Sequence, residues 1–219
     1  MLPLALLAVL GELLSPLQRE GFTLHGVPFC GESDLYPGYP RETWDENYGA
    51  PRPGPRLLGC SEIHLEDTRL TPRTAEVLSH VISTNTSVLS TLRKLELGGT
   101  GIGAAGVTSV ATILEQEAAT LRYLDLGRAE MGPEGATALA PALARAGCPL
   151  TTLKIDWNAL GPEGADVLGA ALRHNGALRQ LFLERNEIGD AGAASVANAL
   201  ATNTALHELV LEGNQIGAV

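Results

Sequence analysis

A pattern of apolar residues that returns every 28 or 29 positions constrains this chain more than any other feature. Its clearest copy places Leu178, Leu181 and Leu183 ahead of Asn186 and Ile188. The same order, L-x-x-L-x-L-x-x-N-x-I, recurs at Leu206, Leu209, Leu211, Asn214 and Ile216, and earlier at Leu150, Leu153, Ile155, Asn158 and Leu160. Leu121, Leu124, Leu126, Ala129 and Met131 form another copy, and Leu92, Leu95, Leu97, Thr100 and Ile102 one more. A degenerate first copy runs through Cys60, Ile63, Leu65, Thr68 and Leu70. Apolar residues on alternate positions over so short a span predict a strand with one buried face.

Each copy then continues in the same way. Gly189-Asp190-Ala191-Gly192 leads to Ala193, Val196, Ala197 and Leu200, spaced as one face of an amphipathic helix. Gly161-Pro162-Glu163-Gly164 leads likewise to Ala165, Leu168 and Leu172, and Gly132-Pro133-Glu134-Gly135 to Ala136, Leu139, Ala140 and Leu143. Thr71-Pro72 opens the helix of the first copy through Ala75, Leu78 and Ile82. Proline suits that place because the first helical N–H has no intrahelical partner to lose. A strand–turn–helix unit cannot bury its leucines alone, but stacked units share a continuous core. A helix is wider than a strand, so the stack is expected to curve. The expected fold is α/β, with a parallel sheet on the concave side, helices on the convex side and about six repeats. The column Asn158, Asn186 and Asn214 sits where the chain leaves the strand, where a buried amide can satisfy turn backbone. Thr68 and Thr100 do this only in part and Ala129 not at all, so the first three copies are expected to be the softer half.

These residues resemble the long-repeat leucine-rich family typified by ribonuclease inhibitor, the repeat domains of NOD-like immune receptors and the Ran GTPase-activating proteins. The resemblance spans residues 60–219 and rests on the L-x-x-L-x-L-x-x-N-x-I-G-x-x-G-A pattern. It implies a leucine-rich-repeat solenoid that grips protein partners on its concave face.

The domain reading has three parts. Residues 1–30 form an apolar N-terminal segment, residues 31–56 a linker or cap, and residues 57–219 the repeat domain, expected to be truncated at its C-terminus in the middle of a unit. Residues 2–10 match a signal-peptide core in length, yet no Lys or Arg precedes them and no small-x-small cleavage site follows. An apolar helix is the main reading, with a cytoplasmic protein; secretion is the alternative if the run is a signal peptide. The run is too short to span a bilayer. Between 31 and 56, Pro37, Pro40, Pro51, Pro53 and Pro55 exclude regular structure. Tyr36, Tyr39, Trp44 and Tyr48 suggest a segment that covers the first repeat or docks elsewhere.

A net charge of −10 excludes nucleic acid and anionic membrane as natural partners and favours a protein with a basic surface. Three cysteines, Cys30, Cys60 and Cys148, are too scattered for a disulfide framework or a zinc site. Asn85-Thr86-Ser87 is a glycosylation triplet with meaning only in a secreted chain. Gly101-Ile102-Gly103-Ala104-Ala105-Gly106 matches the dinucleotide-binding pattern, but Gly103 and Gly106 are ordinary repeat glycines with counterparts in three other copies. His25, His64, His80, His174 and His207 fall at unrelated repeat positions. No acid–base pair, nucleophile, metal or cofactor is expected, and the protein is read as no enzyme.

The candidate site is the strand surface, because residues between the inward leucines face outward. One column reads His64, Glu96, Asp125, Lys154, Phe182 and Val210, and the next Glu66, Gly98, Gly127, Asp156, Glu184 and Glu212. Flanking columns carry Glu62, Lys94, Tyr123, Thr152, Gln180 and Glu208, and Asp67, Gly99, Arg128, Trp157, Arg185 and Gly213. The partner-binding residues expected are Tyr123, Asp125, Lys154, Asp156, Trp157, Phe182, Glu184, Arg185, Glu208 and Glu212. Tyr123, Trp157 and Phe182 come from consecutive copies and are expected close together as anchors. The function expected is a non-catalytic protein-interaction scaffold. The alternatives are a Ran-type GTPase-activating regulator, with Arg69 and Arg128 in the loops after strands, or a repeat fragment of an immune-receptor-like sensor.

Overall fold

The computed structural model describes residues 61–217 apart from Thr68 and Asn85. The proposed N-terminal segment and the 31–56 linker lie outside the described residues, as do Cys30 and Cys60.

Six three-residue strands form one parallel sheet in chain order: β1 (Glu62–His64), β2 (Lys94–Glu96), β3 (Tyr123–Asp125), β4 (Thr152–Lys154), β5 (Gln180–Phe182) and β6 (Glu208–Val210). Between them run the helices α1 (Pro72–Thr84), α2 (Thr86–Thr91), α3 (Gly103–Glu115), α4 (Gly132–Ala144), α5 (Gly161–Leu172) and α6 (Gly189–Leu200). The short α2 has no counterpart in the other units and no periodic signal of its own. Every strand pairs with its sequence neighbour, and α1, α3, α4, α5 and α6 stack each on the next. The molecule is an α/β leucine-rich-repeat solenoid. No helix among the described residues is long and apolar enough to cross a membrane.

The repeat leucines supply the core. Ile63, Leu95, Leu124 and Leu153 are fully buried at the middle of their strands, and Leu97, Leu126, Ile155 and Leu183 are buried just beyond them. Burial of each such side chain contributes roughly 2 kcal/mol. Helix residues Ala136, Leu139, Leu143, Ala165, Leu168 and Leu172 meet them from the other layer, as the spacing predicts. In α6 the expectation fails in part: Val196 is buried, but Ala197 and Leu200 are exposed. The positions equivalent to Leu200 are covered by the next helix, and no helix follows β6 among the described residues.

The small positions are where helices touch. A Cβ on Gly192 would lie 2.9 Å from the Cβ atoms of Ala165 and Ile188 and 3.3 Å from the Cα of Pro162. Gly164 is held similarly by Leu160, Pro133 and Ala136, and Gly106 by Ile102 and Ala75. The first glycine of each G-x-x-G has a different task. Gly103, Gly132, Gly161 and Gly189 all have φ near +60°, between +58° and +65°, where a Cβ is disfavoured. The dinucleotide-like run is thereby explained, because Gly101 fills a left-handed position taken elsewhere by Glu130, Ala159 and Glu187.

The asparagine column is buried and works across units. Asn158 accepts hydrogen bonds at Oδ1 from the N–H groups of Ala129 and Met131, in the preceding turn, and its Nδ2 donates to the carbonyls of Leu126, Ile155 and Asp156. Asn186 accepts from Asn158 N–H at 2.8 Å and Asn214 from Asn186 N–H at 2.7 Å, so the column is a ladder. Each amide therefore serves the turn before its own. The missing amide at Ala129 is felt in the turn after β2, where Thr100 Oγ1 only donates to the carbonyl of Leu97. A second ladder on the helix-to-strand side was not anticipated. Asn175 accepts from the N–H groups of Ala177 and Leu178, Asn203 accepts from those of Ala205 and Leu206, and Asn203 Nδ2 donates to the carbonyls of Leu172 and Asn175. Its signal was present in the sequence, since Asn175 and Asn203 stand one repeat apart.

Candidate protein-binding face

The strand register aligns the expected columns. Lys94, Tyr123, Thr152, Gln180 and Glu208 follow Glu62 across the sheet, and Glu96, Asp125, Lys154, Phe182 and Val210 follow His64. Parallel pairing of in-phase repeats makes this inevitable once one pair is fixed, because a one-residue slip would expose the leucines.

The side chains sort into linked groups rather than a uniform acidic field. Lys154 Nζ lies between two rings, 5.8 Å from the centre of Tyr123 and 5.6 Å from that of Phe182, close enough for cation–π attraction. It is also 3.8 Å from Asp125 Oδ2. Asp125 is only 8 % exposed, and its Oδ1 accepts the Gly127 N–H at 2.9 Å. Burial raises its carboxyl above the ordinary aspartate range, with the Gly127 bond and Lys154 pulling the other way. Asp125 thus stands below the surface as a support for Lys154 and the turn, not as an outward-facing carboxylate.

Trp157 belongs to a second group. Its indole lies between the guanidinium groups of Arg128 and Arg185, at 5.4 and 4.5 Å from the ring centre. It is 47 % exposed. The expected single cluster of Tyr123, Trp157 and Phe182 is therefore two cation-bridged groups, one centred on Lys154 and one on Trp157. Arg128, assigned to a loop after a strand, is there and leans on Trp157. Arg128, Trp157 and Arg185 all take left-handed backbone, with φ of 52°, 57° and 52°. The same column holds Gly99 and Gly213, which adopt this conformation without a Cβ penalty. A non-glycine residue there costs roughly 1 kcal/mol.

The acidic column beside it is unevenly exposed. Glu212 is exposed, and Asp156 and Glu184 are half-buried. The Asp156 carboxylate lies over Gly127, where a Cβ would meet Oδ1 at 2.8 Å. Glu184 Oε2 is shut off from solvent and has no hydrogen-bond partner among the described residues. Glu208 is exposed and accepts a bond from Gln180 Nε2 at 2.6 Å, while the Gln180 Oε1 accepts from Thr152.

At the β1–β2 end the structure brings together residues that sequence spacing kept apart. His64, Glu66 and Glu96 present ligand atoms within 4.8 Å of one another. A search for metal spacing along the chain misses such a set, because Glu96 reaches His64 through strand pairing across 32 residues. Cys148 is buried and free, and burial pushes its thiol up, as befits a structural residue.

Among known proteins, the leucine-rich-repeat family model matches four segments, residues 88–111, 117–140, 148–169 and 174–197. Each begins just before the first leucine of one unit and ends in the helix of that unit. No curated protein matches the sequence. Among solved structures, the chain is similar to the actin-binding site 2 (ABS2) of Leiomodin-1, with 16 % identity over 69 % of this chain and 70 % of that one, at a TM-score of 0.42.

Proposed function

We propose that this chain, which carries leucine-rich repeats in both sequence and fold, is a non-catalytic scaffold that binds a protein with a basic surface on its sheet face. The observation that carries the reading is the Arg128–Trp157–Arg185 stack. Three consecutive units keep large side chains at a left-handed position that Gly99 and Gly213 fill in two other units and Asp67 in the first, and the central one is a half-exposed tryptophan. Backbone strain retained for exposed side chains is a mark of a functional surface. Tryptophan and arginine are also the residues that dominate protein–protein binding energies.

The anchors are Trp157 and Phe182, with Tyr123 and Lys154 holding the Phe182 side of the surface. Asp156, Glu184, Glu208 and Glu212 supply the attraction for the partner's Lys or Arg side chains, and Arg185 orients Trp157. Glu184 Oε2 is buried without a hydrogen bond, a cost in the free chain, and turning that side chain outward to a donor on the partner would relieve it. The unit length, with a full helix in each repeat, supports reading the chain as of the long-repeat, ribonuclease-inhibitor-like kind.

The test is affinity capture with the wild-type chain and the double variant Trp157→Ala, Phe182→Ala. Partner recovery is expected to drop at least tenfold, which corresponds to about 1.4 kcal/mol, with an unchanged circular dichroism spectrum. Undiminished recovery by the folded double variant would refute the assignment of these anchors.

A further inference from the structure

We propose that His64, Glu66 and Glu96 form a binding site for a divalent transition-metal ion of the zinc class, at the β1–β2 end of the sheet face. This is independent of the partner reading above. The pairing of β1 with β2 sets Glu96 directly opposite His64. Glu66 stands two residues beyond His64, in the turn that leaves β1. The three side chains come from three separate positions, and their ligand atoms converge to within 4.8 Å. Zinc bonds of about 2.0–2.2 Å require these side chains to close further around the ion.

The histidine is the reason to place a cation here. Its Nε2 lies 3.1 Å from Glu62 Oε2, and its Nδ1 faces Glu96 Oε2 directly. Ionised carboxylates only accept hydrogen bonds. With the ring proton on Nε2 toward Glu62, the Nδ1 lone pair faces another acceptor, and either a cation between them or a second ring proton resolves the clash. A second proton would do so for His64 and Glu96 but would leave Glu66 unused. A metal ion uses all three groups. Lys94 Nζ, 2.7 Å from Glu96, occupies the other oxygen, Oε1, and leaves Oε2 for the ion. One lysine does not balance Glu62, Glu66 and Glu96. Glu96 is only 6 % exposed, so its charge is poorly served by water.

The donor set selects the ion. One imidazole with two carboxylates suits zinc-like ions, whereas calcium and magnesium take oxygen alone. Glu62 plays the outer part, holding the second ring nitrogen and fixing which nitrogen binds, as carboxylates commonly do behind metal-bound histidines. Three protein ligands leave a fourth position open on the sheet face.

Titration of zinc chloride into the chelator-stripped full chain at neutral pH, followed by calorimetry, tests the site. One class of sites is expected in the wild type, and His64→Ala and Glu66→Gln should each remove it or weaken it by at least tenfold. Glu62→Gln should weaken it by roughly 10- to 100-fold, the usual effect of losing a residue behind a metal ligand. The double variant His174→Ala, His207→Ala should bind as the wild type does. Glu66 is exposed, so Glu66→Gln keeps the fold and decides the matter if His64→Ala does not fold. Absence of zinc uptake at millimolar metal, or equal affinity in wild type and Glu66→Gln, would overturn the site.

Discussion

Trp157 and Asn186 show how differently two residues of neighbouring turns can be determined. Asn186 is dictated by the backbone: fully buried, it accepts the Asn158 N–H and donates to the carbonyls of Ile155, Leu183 and Glu184. No apolar residue can replace those bonds. Asn186→Ala leaves buried donors and acceptors unpaired, and urea unfolding should show a loss of about 3 kcal/mol. Trp157 is opposed by the backbone, and on the proposed function it is kept by what its ring does at the surface. Asp125 is a third case. Burial raises its carboxyl, so the folded state binds the proton more tightly than the unfolded chain and ionised Asp125 costs stability. Asp125→Asn removes that cost while leaving an oxygen for the Gly127 N–H. The variant should be more stable than wild type at neutral pH. The gain should shrink as pH falls and Asp125 itself becomes neutral, and a gain that grows in acid would contradict the sign of the shift.

At the scale of elements, the helix layer is set by glycine and alanine more than by leucine. Leucine spacing states which face is buried, but how closely α5 and α6 approach depends on Gly192 meeting Ala165 and Pro162. Gly192→Ala adds a methyl group where backbone and Cβ atoms already stand at 2.9–3.3 Å. Thermal or urea unfolding should show a loss of roughly 1–3 kcal/mol, despite the better helix propensity of alanine. The sequence made this much legible because a period of 28 or 29 residues repeats every contact of one unit in the next. It hid α2, which occurs once, and the burial of Asp125, because facing outward from a strand does not guarantee exposure when long neighbours lie across it. It also hid the partition of the aromatics. Column position places Tyr123, Trp157 and Phe182 on one face, but the choice of Lys154 or of two arginines as neighbour depends on side-chain reach.

For the whole molecule, the repeat imposes one sheet face and one helix face, and the function follows from which of them meets the partner. The sheet face carries the strained aromatic stack, the orphaned carboxylate oxygen and the acidic column. The helix face carries small apolar and scattered polar residues. Site-specific photo-crosslinking separates the two most directly. A photoreactive residue in place of Thr152 on the sheet face, and in a second variant in place of Asn198, exposed on α6, would report on opposite sides of the solenoid. Crosslinking of captured partner from position 152 and not from 198 is the predicted result. Crosslinking from 198 with none from 152 would contradict the assignment of the sheet as the binding face.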